Sequence, residues 1–327
     1  MILLDVKNLT IGIKKGKETY KAVDNISFSI KEGEILGLAG ESGCGKTTTA
    51  LAITNLLPQG FKILNGEINF GGQSLTRINE KELCRVRGSE IGMIFQEVRQ
   101  SLNPLMKTGK QITEALVLKE NKKENEVKQL ALDLLFSLGF DEPQKIFETY
   151  PHQLSRGMCQ RVMTAIAAIC RPKLLLADEP SSALDEESLQ RVLALLLEMN
   201  CNYKTSLLII SHDLSIIRQF CSRYLVMYAG KIIEESSVTP NSIINSPFHP
   251  YTRALINALP EKNKRGKPLD SISGKVPSIE DRFSGCPFAP RCPKAQNICN
   301  KAFPPETKIR DGKVFCHFPE TGEQNGG

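Results

Sequence analysis

Short clustered or alternating apolar runs open the chain. Residues 2–7 and 25–30 read as strands, with the polar stretch Lys14-Lys15-Gly16-Lys17-Glu18 turning between them. Glu34-Ile35-Leu36-Gly37-Leu38-Ala39 predicts a short buried strand, and the apolar run from Thr48 predicts a helix ending near Leu57-Pro58-Gln59-Gly60. Further strands are expected over 63–70 and 90–96. From about residue 99 the period becomes helical. Val127, Leu130, Ala131, Leu134, Leu135 and Leu138 keep the i, i+3, i+4 spacing of one buried face, and Gly139 follows as a C-cap. The charged stretch Lys119–Glu126 reads as a solvated helix end. A second helix is expected from Ser155 to about Cys170, stopped by Arg171-Pro172. Apolar runs at 173–177 and 206–210 predict strands flanking a helix over 187–199. Strands alternating with helices argue for a parallel α/β sheet, with the 99–157 block as a helical insertion.

After about residue 235 the pattern changes. Pro, Ser, Asn and Cys become frequent and apolar periodicity fades, apart from a short helix around 249–258. This predicts a separate, loop-rich extension, with Gly322–Gly327 as a fraying tail.

Composition narrows the class. The 327 residues suffice for two domains with real cores, and 41% hydrophobic with 24% charged residues is ordinary for a soluble globular protein. The net charge of +6 is spread along the chain, which suits anionic nucleotides or an anionic membrane face and does not demand nucleic acid. No apolar run reaches the roughly 18 residues of a membrane helix. The N-terminus lacks the basic start and long apolar core of a signal peptide, so the expected compartment is the cytosol. There the ten cysteines are reduced thiols or metal ligands, and four of them fall in the last 42 residues.

The chemistry centres on Gly40-Glu41-Ser42-Gly43-Cys44-Gly45-Lys46-Thr47, which fits the phosphate-binding pattern G-x-x-x-x-G-K-[ST] between a strand and a helix. The glycines let successive N–H groups converge as an anion nest at a helix N-terminus. Lys46 is expected to reach the β/γ-phosphates and the Thr47 hydroxyl to take one position on Mg²⁺. Leu174-Leu175-Leu176-Ala177-Asp178-Glu179 is a buried strand ending in two acids. Asp178 suits Mg²⁺ through its waters, and Glu179 suits the attacking water. Ser155, in Leu154-Ser155-Arg156-Gly157-Met158, can N-cap the following helix and so create a phosphate clamp. Ser182-Ala183-Leu184-Asp185 and Ser211-His212-Asp213 complete the set.

In this order the motifs resemble the nucleotide-binding subunit of an ATP-binding-cassette (ABC) transporter, a P-loop NTPase fold. They are the Walker A loop at 40–47, the Q-loop at Gln96, the signature at 154–158, Walker B at 174–179, the D-loop at 182–185 and the switch histidine at His212. The resemblance implies a cassette over residues 1–235 and an extension over 236–327. In the cassette a parallel-sheet core carries an N-terminal antiparallel part and a helical subdomain at about 99–157. It also implies a head-to-tail pair of cassettes sandwiching two ATP molecules. Gly40, Ser42, Gly43, Cys44, Gly45, Lys46, Thr47 and Thr48 would hold one nucleotide. Ser155, Gly157 and Asp185 would face the partner's. Thr47, Gln96 and Asp178 would serve Mg²⁺, and Glu179, His212 and Gln96 would serve hydrolysis.

His249-Pro250-Tyr251-Thr252, Gly274-Lys275-Val276-Pro277 and Gly285-Cys286 to Arg291-Cys292-Pro293 are similar to the C-terminal region of oligopeptide/dipeptide importer ATPases. So is Ser101-Leu102-Asn103-Pro104 after Gln96. That resemblance implies two integral membrane permease subunits, a homologous ATPase as heterodimer partner and, indirectly, an extracytoplasmic substrate-binding protein. It places the chain peripherally, on the cytoplasmic face of the membrane. It also associates Cys286, Cys292, Cys299 and Cys316 with a [4Fe–4S] cluster; four thiolates can instead satisfy Zn²⁺, though the spacing lacks the C-x-x-C pairs usual for zinc, and unligated thiols are the third reading. His317 beside Cys316 reads as a bystander. Import of nickel or a metal chelate is the alternative cargo. A soluble ABC ATPase of DNA repair or translation lacks its usual coiled-coil insertion or second cassette here.

Three departures stand out. Arg156 replaces the first glycine of the usual Leu-Ser-Gly-Gly signature. Ile13 occupies the place of the adenine-stacking aromatic, with Tyr20 out of register, which predicts weaker nucleotide affinity. Cys44 sits inside the phosphate loop, so alkylation is expected to block nucleotide binding.

Overall fold

A computed structural model describes residues 1–120, 123–182, 184–237, 247–258, 272–281, 284–309 and 312–320. The expected tail at 322–327 lies outside the described residues. In chain order the elements are β1 (Ile2–Lys15), β2 (Glu18–Lys31), β3 (Ile35–Ala39), α1 (Lys46–Ile53), β4 (Phe61–Phe70), β5 (Gln73–Ser74), α2 (Glu80–Val86), β6 (Ile91–Ile94), α3 (Val98–Ser101), α4 (Thr108–Glu120), α5 (Glu124–Ser137), α6 (Pro143–Phe147) and α7 (Arg156–Ala168). They continue with β7 (Leu174–Asp178), α8 (Glu186–Tyr203), β8 (Ser206–Ser211), α9 (Leu214–Phe220), β9 (Arg223–Tyr228), β10 (Lys231–Ser237), α10 (Pro250–Asn257), α11 (Asn297–Lys301), β11 (Glu306–Ile309) and β12 (Gly312–Phe315). No helix among the described residues is long and apolar enough to cross a membrane.

The chain forms two compact units. The first holds residues 1–4, 30–35 and 70–210. Its centre is the parallel set β6-β7-β8, with Ile91 opposite Leu174 and Leu174 opposite Ser206. All three strands are buried throughout, which is why they read as unbroken apolar runs. Helix α7 lies so close to β6 that a Cβ on Gly92 would stand 2.5 Å from the Ala167 carbonyl oxygen. The helical insertion packs α4 and α5 against α7, with α6 against α4 and α5. On α5 the buried face is Val127, Ala131, Leu135 and Leu138, whereas Leu130 is exposed and Leu134 half-buried. Those two line an open groove with Ile169 and Met199, so the buried stripe is narrower than the periodicity predicts. Gly139, at φ +82°, ends the helix as expected, its amide donating to the Phe136 carbonyl.

The second unit holds residues 5–29, 36–69 and 211–327. β1 and β2 neighbour one another across the two-residue turn Gly16-Lys17, so they run antiparallel, and β4 flanks β1. Both predicted opening strands are longer than the sequence suggested, because polar positions on their solvent faces hide the alternation. β3 pairs parallel with β9, and β9 turns into antiparallel β10 through Ala229-Gly230, both at positive φ as a tight hairpin needs. β12 then pairs with β10, placing Val314 opposite Glu234, and β11 pairs with β12. The residues after 235 therefore continue the sheet of β9 and β10, which their loop-like composition did not announce.

Candidate functional site

In the second unit, β3 delivers the chain into the phosphate-loop motif. Gly40 sits at φ +151°, and a Cβ there would lie 2.2 Å from the Met227 carbonyl oxygen, so only glycine fits. Gly45 caps α1 at φ 110° and, having no side chain, makes no side-chain cap bond to the first turn of the helix. The Lys46 ammonium, 6% exposed, donates to the Gly40 and Glu41 carbonyls at 2.6 and 3.1 Å. Ser42 and Gly43 are exposed, and Thr47 and Thr48 half-buried. The Cys44 carbonyl accepts from the Gly230 amide at 2.8 Å. Its thiol is fully buried, and burial raises the thiol pKa despite the nearby Lys46. The thiol faces the protein, packed where a Gly40 side chain would be, so reagents reach it only when the loop opens.

Also in the second unit, His212 is exposed just past β8, and the Asp213 amide next to it donates to Ser211 Oγ at 3.0 Å. Asp213 caps α9 by accepting from the Ser215 amide. Ile13 is half-buried on β1. Tyr20, on β2, donates its hydroxyl to Glu18.

In the first unit, β7 ends on Asp178, fully buried, and Glu179, 6% exposed. Glu179 holds φ +50° while its amide donates to the Ile210 carbonyl at 2.9 Å, a sparsely populated backbone that costs about 1 kcal/mol or more. No sequence signal announces that strain. Ser155 caps α7 as expected, accepting from the Met158 amide at 3.2 Å, and Arg156 points into solvent on the first turn. Asp185 caps α8, and its hydrogen bonds from Ser188 hold the carboxyl below its usual range. Gln96 is exposed between β6 and α3. Two arginines that sequence reasoning missed support this unit. Arg99 donates to the Leu154 carbonyl beside Ser155, at 3.3 Å. Arg161 donates to the Leu138 and Gly139 carbonyls at 3.0 and 2.9 Å and lies over the Phe140 ring. Both contacts are long-range, so nothing local in the sequence could signal them.

Cys286, Cys292, Cys299 and Cys316 line one pocket in the second unit, with His249 and Phe288. Burial, and then the three neighbouring cysteines, push the Cys286 thiol up to about 11. Burial also raises the Cys292 and Cys316 thiols. Among the described residues no three His, Cys, Asp or Glu side chains are grouped so as to hold a metal ion. His317 Nε2 meets the Ala302 carbonyl at 3.0 Å, in keeping with a bystander. His249 is fully buried. Its Nδ1 accepts from the Tyr251 amide at 3.0 Å, so in the neutral ring Nε2 carries the proton, and among the described residues Nε2 meets no hydrogen-bond partner.

The sheet of buried parallel strands, the phosphate-loop motif and the capped signature helix define an ATP-binding cassette of the ABC transporter class. The chain belongs to the family of dipeptide and oligopeptide transport ATP-binding proteins. It is 41% identical over 320 residues to the dipeptide transport ATP-binding protein DppD of Escherichia coli, covering 98% of this chain and 97% of that one. It is 41% identical over 327 residues to the oligopeptide transport ATP-binding protein AppD of Bacillus subtilis, covering 99% of each. The ABC transporter family matches residues 23–182, and the oligopeptide/dipeptide transporter C-terminal region matches residues 237–299. Among solved structures, the post-hydrolysis dimer of the cassette MJ0796 bound to ADP and Pi superposes with a TM-score of 0.67 at 29% identity, covering 72% of this chain and 99% of that one.

Proposed function

We propose that the protein is the ATP-hydrolysing subunit of an ABC importer for dipeptides or oligopeptides, with a cassette over residues 1–235 and a family-specific extension over 236–327. The observation that carries this reading is similarity along nearly the whole chain, extension included, to subunits named for peptide transport. The subunit works at the cytoplasmic face of the membrane with two permease subunits, a homologous ATPase and, indirectly, a substrate-binding protein.

In this reading the amides of residues 42–47, Lys46 and Thr48 cradle the phosphates, and Ile13 packs on the adenine. Thr47, Gln96 and Asp178 each offer an oxygen donor of the kind Mg²⁺ prefers and are the residues that would serve that ion, which would neutralise phosphate charge when bound. Glu179 orients the attacking water and takes its proton, and His212 contacts the γ-phosphate. Ser155, Gly157 and Asp185 meet the nucleotide of the partner ATPase. That partner is a related chain, because Arg156 makes one signature unlike the usual one and so suits an asymmetric pair.

The four cysteines hold an iron–sulfur cluster in this proposal. What supports it is that they share one pocket, and that their spacing lacks the C-x-x-C pairs usual for zinc. The partnerless Nε2–H of buried His249, on the same pocket, suits a hydrogen bond to a cluster sulfur. Such a cluster would staple a segment that has little core of its own.

The test is Glu179→Gln in the full chain. ATP binding should persist while hydrolysis falls at least about 100-fold. Pull-down of the trapped protein from membranes should recover two polytopic proteins and a related ATPase. Recovery of ribosomes or DNA instead would overturn the transporter reading.

A further inference from the structure

We infer that Arg291, in the C-terminal extension, is a positioning residue for the phosphate loop, acting through Glu41. The inference rests on reading residues 40–47 as the ATP site. Arg291 and Glu41 are 250 residues apart, yet both belong to the second unit and meet in a two-pronged ion pair. Nη1 donates to Glu41 Oε2 at 2.6 Å, and Nη2 donates to Glu41 Oε1 at 3.1 Å. The remaining donors are also placed: Nε on the Ser273 carbonyl at 2.9 Å, Nη1 on the Tyr228 hydroxyl at 3.1 Å and Nη2 on the Ile272 carbonyl at 3.2 Å. Nε and both Nη groups, which carry all five guanidinium N–H donors, are thus engaged, and the side chain is only 4% exposed. An ammonium cannot reproduce that planar fork.

A second contact fixes the same loop residue. The Tyr251 hydroxyl accepts from the Glu41 amide at 2.9 Å. Tyr251, Tyr228 and Phe288 pack ring against ring, with centroids 4.5 to 5.4 Å apart, and the Arg291 guanidinium lies over the Tyr228 and Phe288 rings. Both side chain and main chain of Glu41 are therefore held by the far end of the sequence.

The consequence for nucleotide follows from charge. Glu41 puts a carboxylate one residue into a loop that must receive a polyanion. Paired with Arg291 it is neutralised, whereas unpaired it would repel the phosphates from a half-buried position. The Glu41 carbonyl also receives the Lys46 ammonium, so a shift of Glu41 disturbs the phosphate-seeking cation. The extension thus makes the loop ready for ATP.

The test uses the full chain and titration with a fluorescent ATP analogue, alongside steady-state ATPase kinetics and circular dichroism. Arg291→Ala should weaken binding about tenfold or more and raise KM for ATP more than it lowers kcat. Arg291→Lys should recover little of this. Adding Glu41→Gln to Arg291→Ala should restore most of the affinity, because the stranded carboxylate is gone; a role confined to folding the extension would not be rescued that way. Wild-type affinity in folded Arg291→Ala, or no rescue in the double variant, would overturn the inference. Should Arg291→Ala fail to fold, Arg291→Lys decides: weakened binding in the folded protein supports the clamp and unchanged binding refutes it. Lys46→Ala separates the two levels. If the wild type binds no nucleotide, the ATP-site reading falls and the clamp with it. If Lys46→Ala abolishes binding while Arg291→Ala does not alter it, the clamp alone falls.

Discussion

The Cys286 amide donates to the Cys299 carbonyl at 2.7 Å, so two of the four extension cysteines are locked together through their backbones. The approach is so close that a Cβ on Gly285 would stand 2.4 Å from that carbonyl oxygen. A pocket pre-formed in this way should fill with metal during folding and lose it when one thiolate is removed. Protein purified without oxygen is expected to carry about four irons with sulfide and a broad visible absorption band, and Cys292→Ser should abolish the band. One zinc and no colour would replace the cluster by a zinc staple. Removing the metal with a chelator should lower the melting temperature, since the extension has little core to fall back on.

Cys44 gives a prediction opposite to the one its position in the loop suggests. The thiolate is the reactive form, and burial raises this thiol's pKa, so less of it ionises at any given pH than in an exposed cysteine. Iodoacetamide at pH 8 should label exposed Cys84 and Cys201 first, and Cys44 only in denaturant, as read by peptide mass spectrometry. Labelling of Cys44 at the rate of Cys84 in the native protein, blocked by MgATP, would show that the loop opens readily.

What the sequence made legible divides by range. The phosphate loop, the strand ending at Asp178 and the Ser155 cap depend on neighbours within a few residues, and each stands where its pattern put it. The strained Glu179 backbone, the Arg161 contacts and the Arg291–Glu41 pair depend on residues tens to hundreds of positions away, so no local period could encode them. The extension misled for a related reason. Its strands β11 and β12 are four residues each and half exposed, and they become strands because β12 pairs with β10 and β11 with β12, rather than by burying an apolar face of their own.

Ile13→Tyr tests the missing adenine platform. Ile13 is half-buried on β1, so a larger ring there can reach solvent rather than overfill the core. Aromatic stacking adds about 0.5–1.5 kcal/mol beyond burial, so ATP affinity should rise about twofold to twelvefold. Equal affinity in equilibrium titrations of the two proteins would mean that the adenine ring does not rest on this residue.

Arg156→Gly addresses the signature. The Ser155 cap is intact, with its Oγ on the Met158 amide, and Arg156 is exposed, so the substitution leaves the clamp's own hydrogen bond in place. Glycine in the first turn should cost at most about 1 kcal/mol of stability. In the proposed reading Arg156 lies on the face that meets the partner's nucleotide, not in this chain's own phosphate loop, so ATP affinity of the isolated subunit should stay within about twofold, read against the tenfold-per-1.4 kcal/mol scale. ATP-dependent pairing with the partner ATPase, followed by analytical ultracentrifugation, should instead tighten about threefold or more, because a long side chain no longer stands between the helix N-terminus and the incoming phosphate. Weaker pairing would assign the guanidinium an attractive role on the partner's phosphates. A salt series separates the two: loss of a steric obstacle leaves the salt dependence unchanged, whereas loss of a charge contact flattens it.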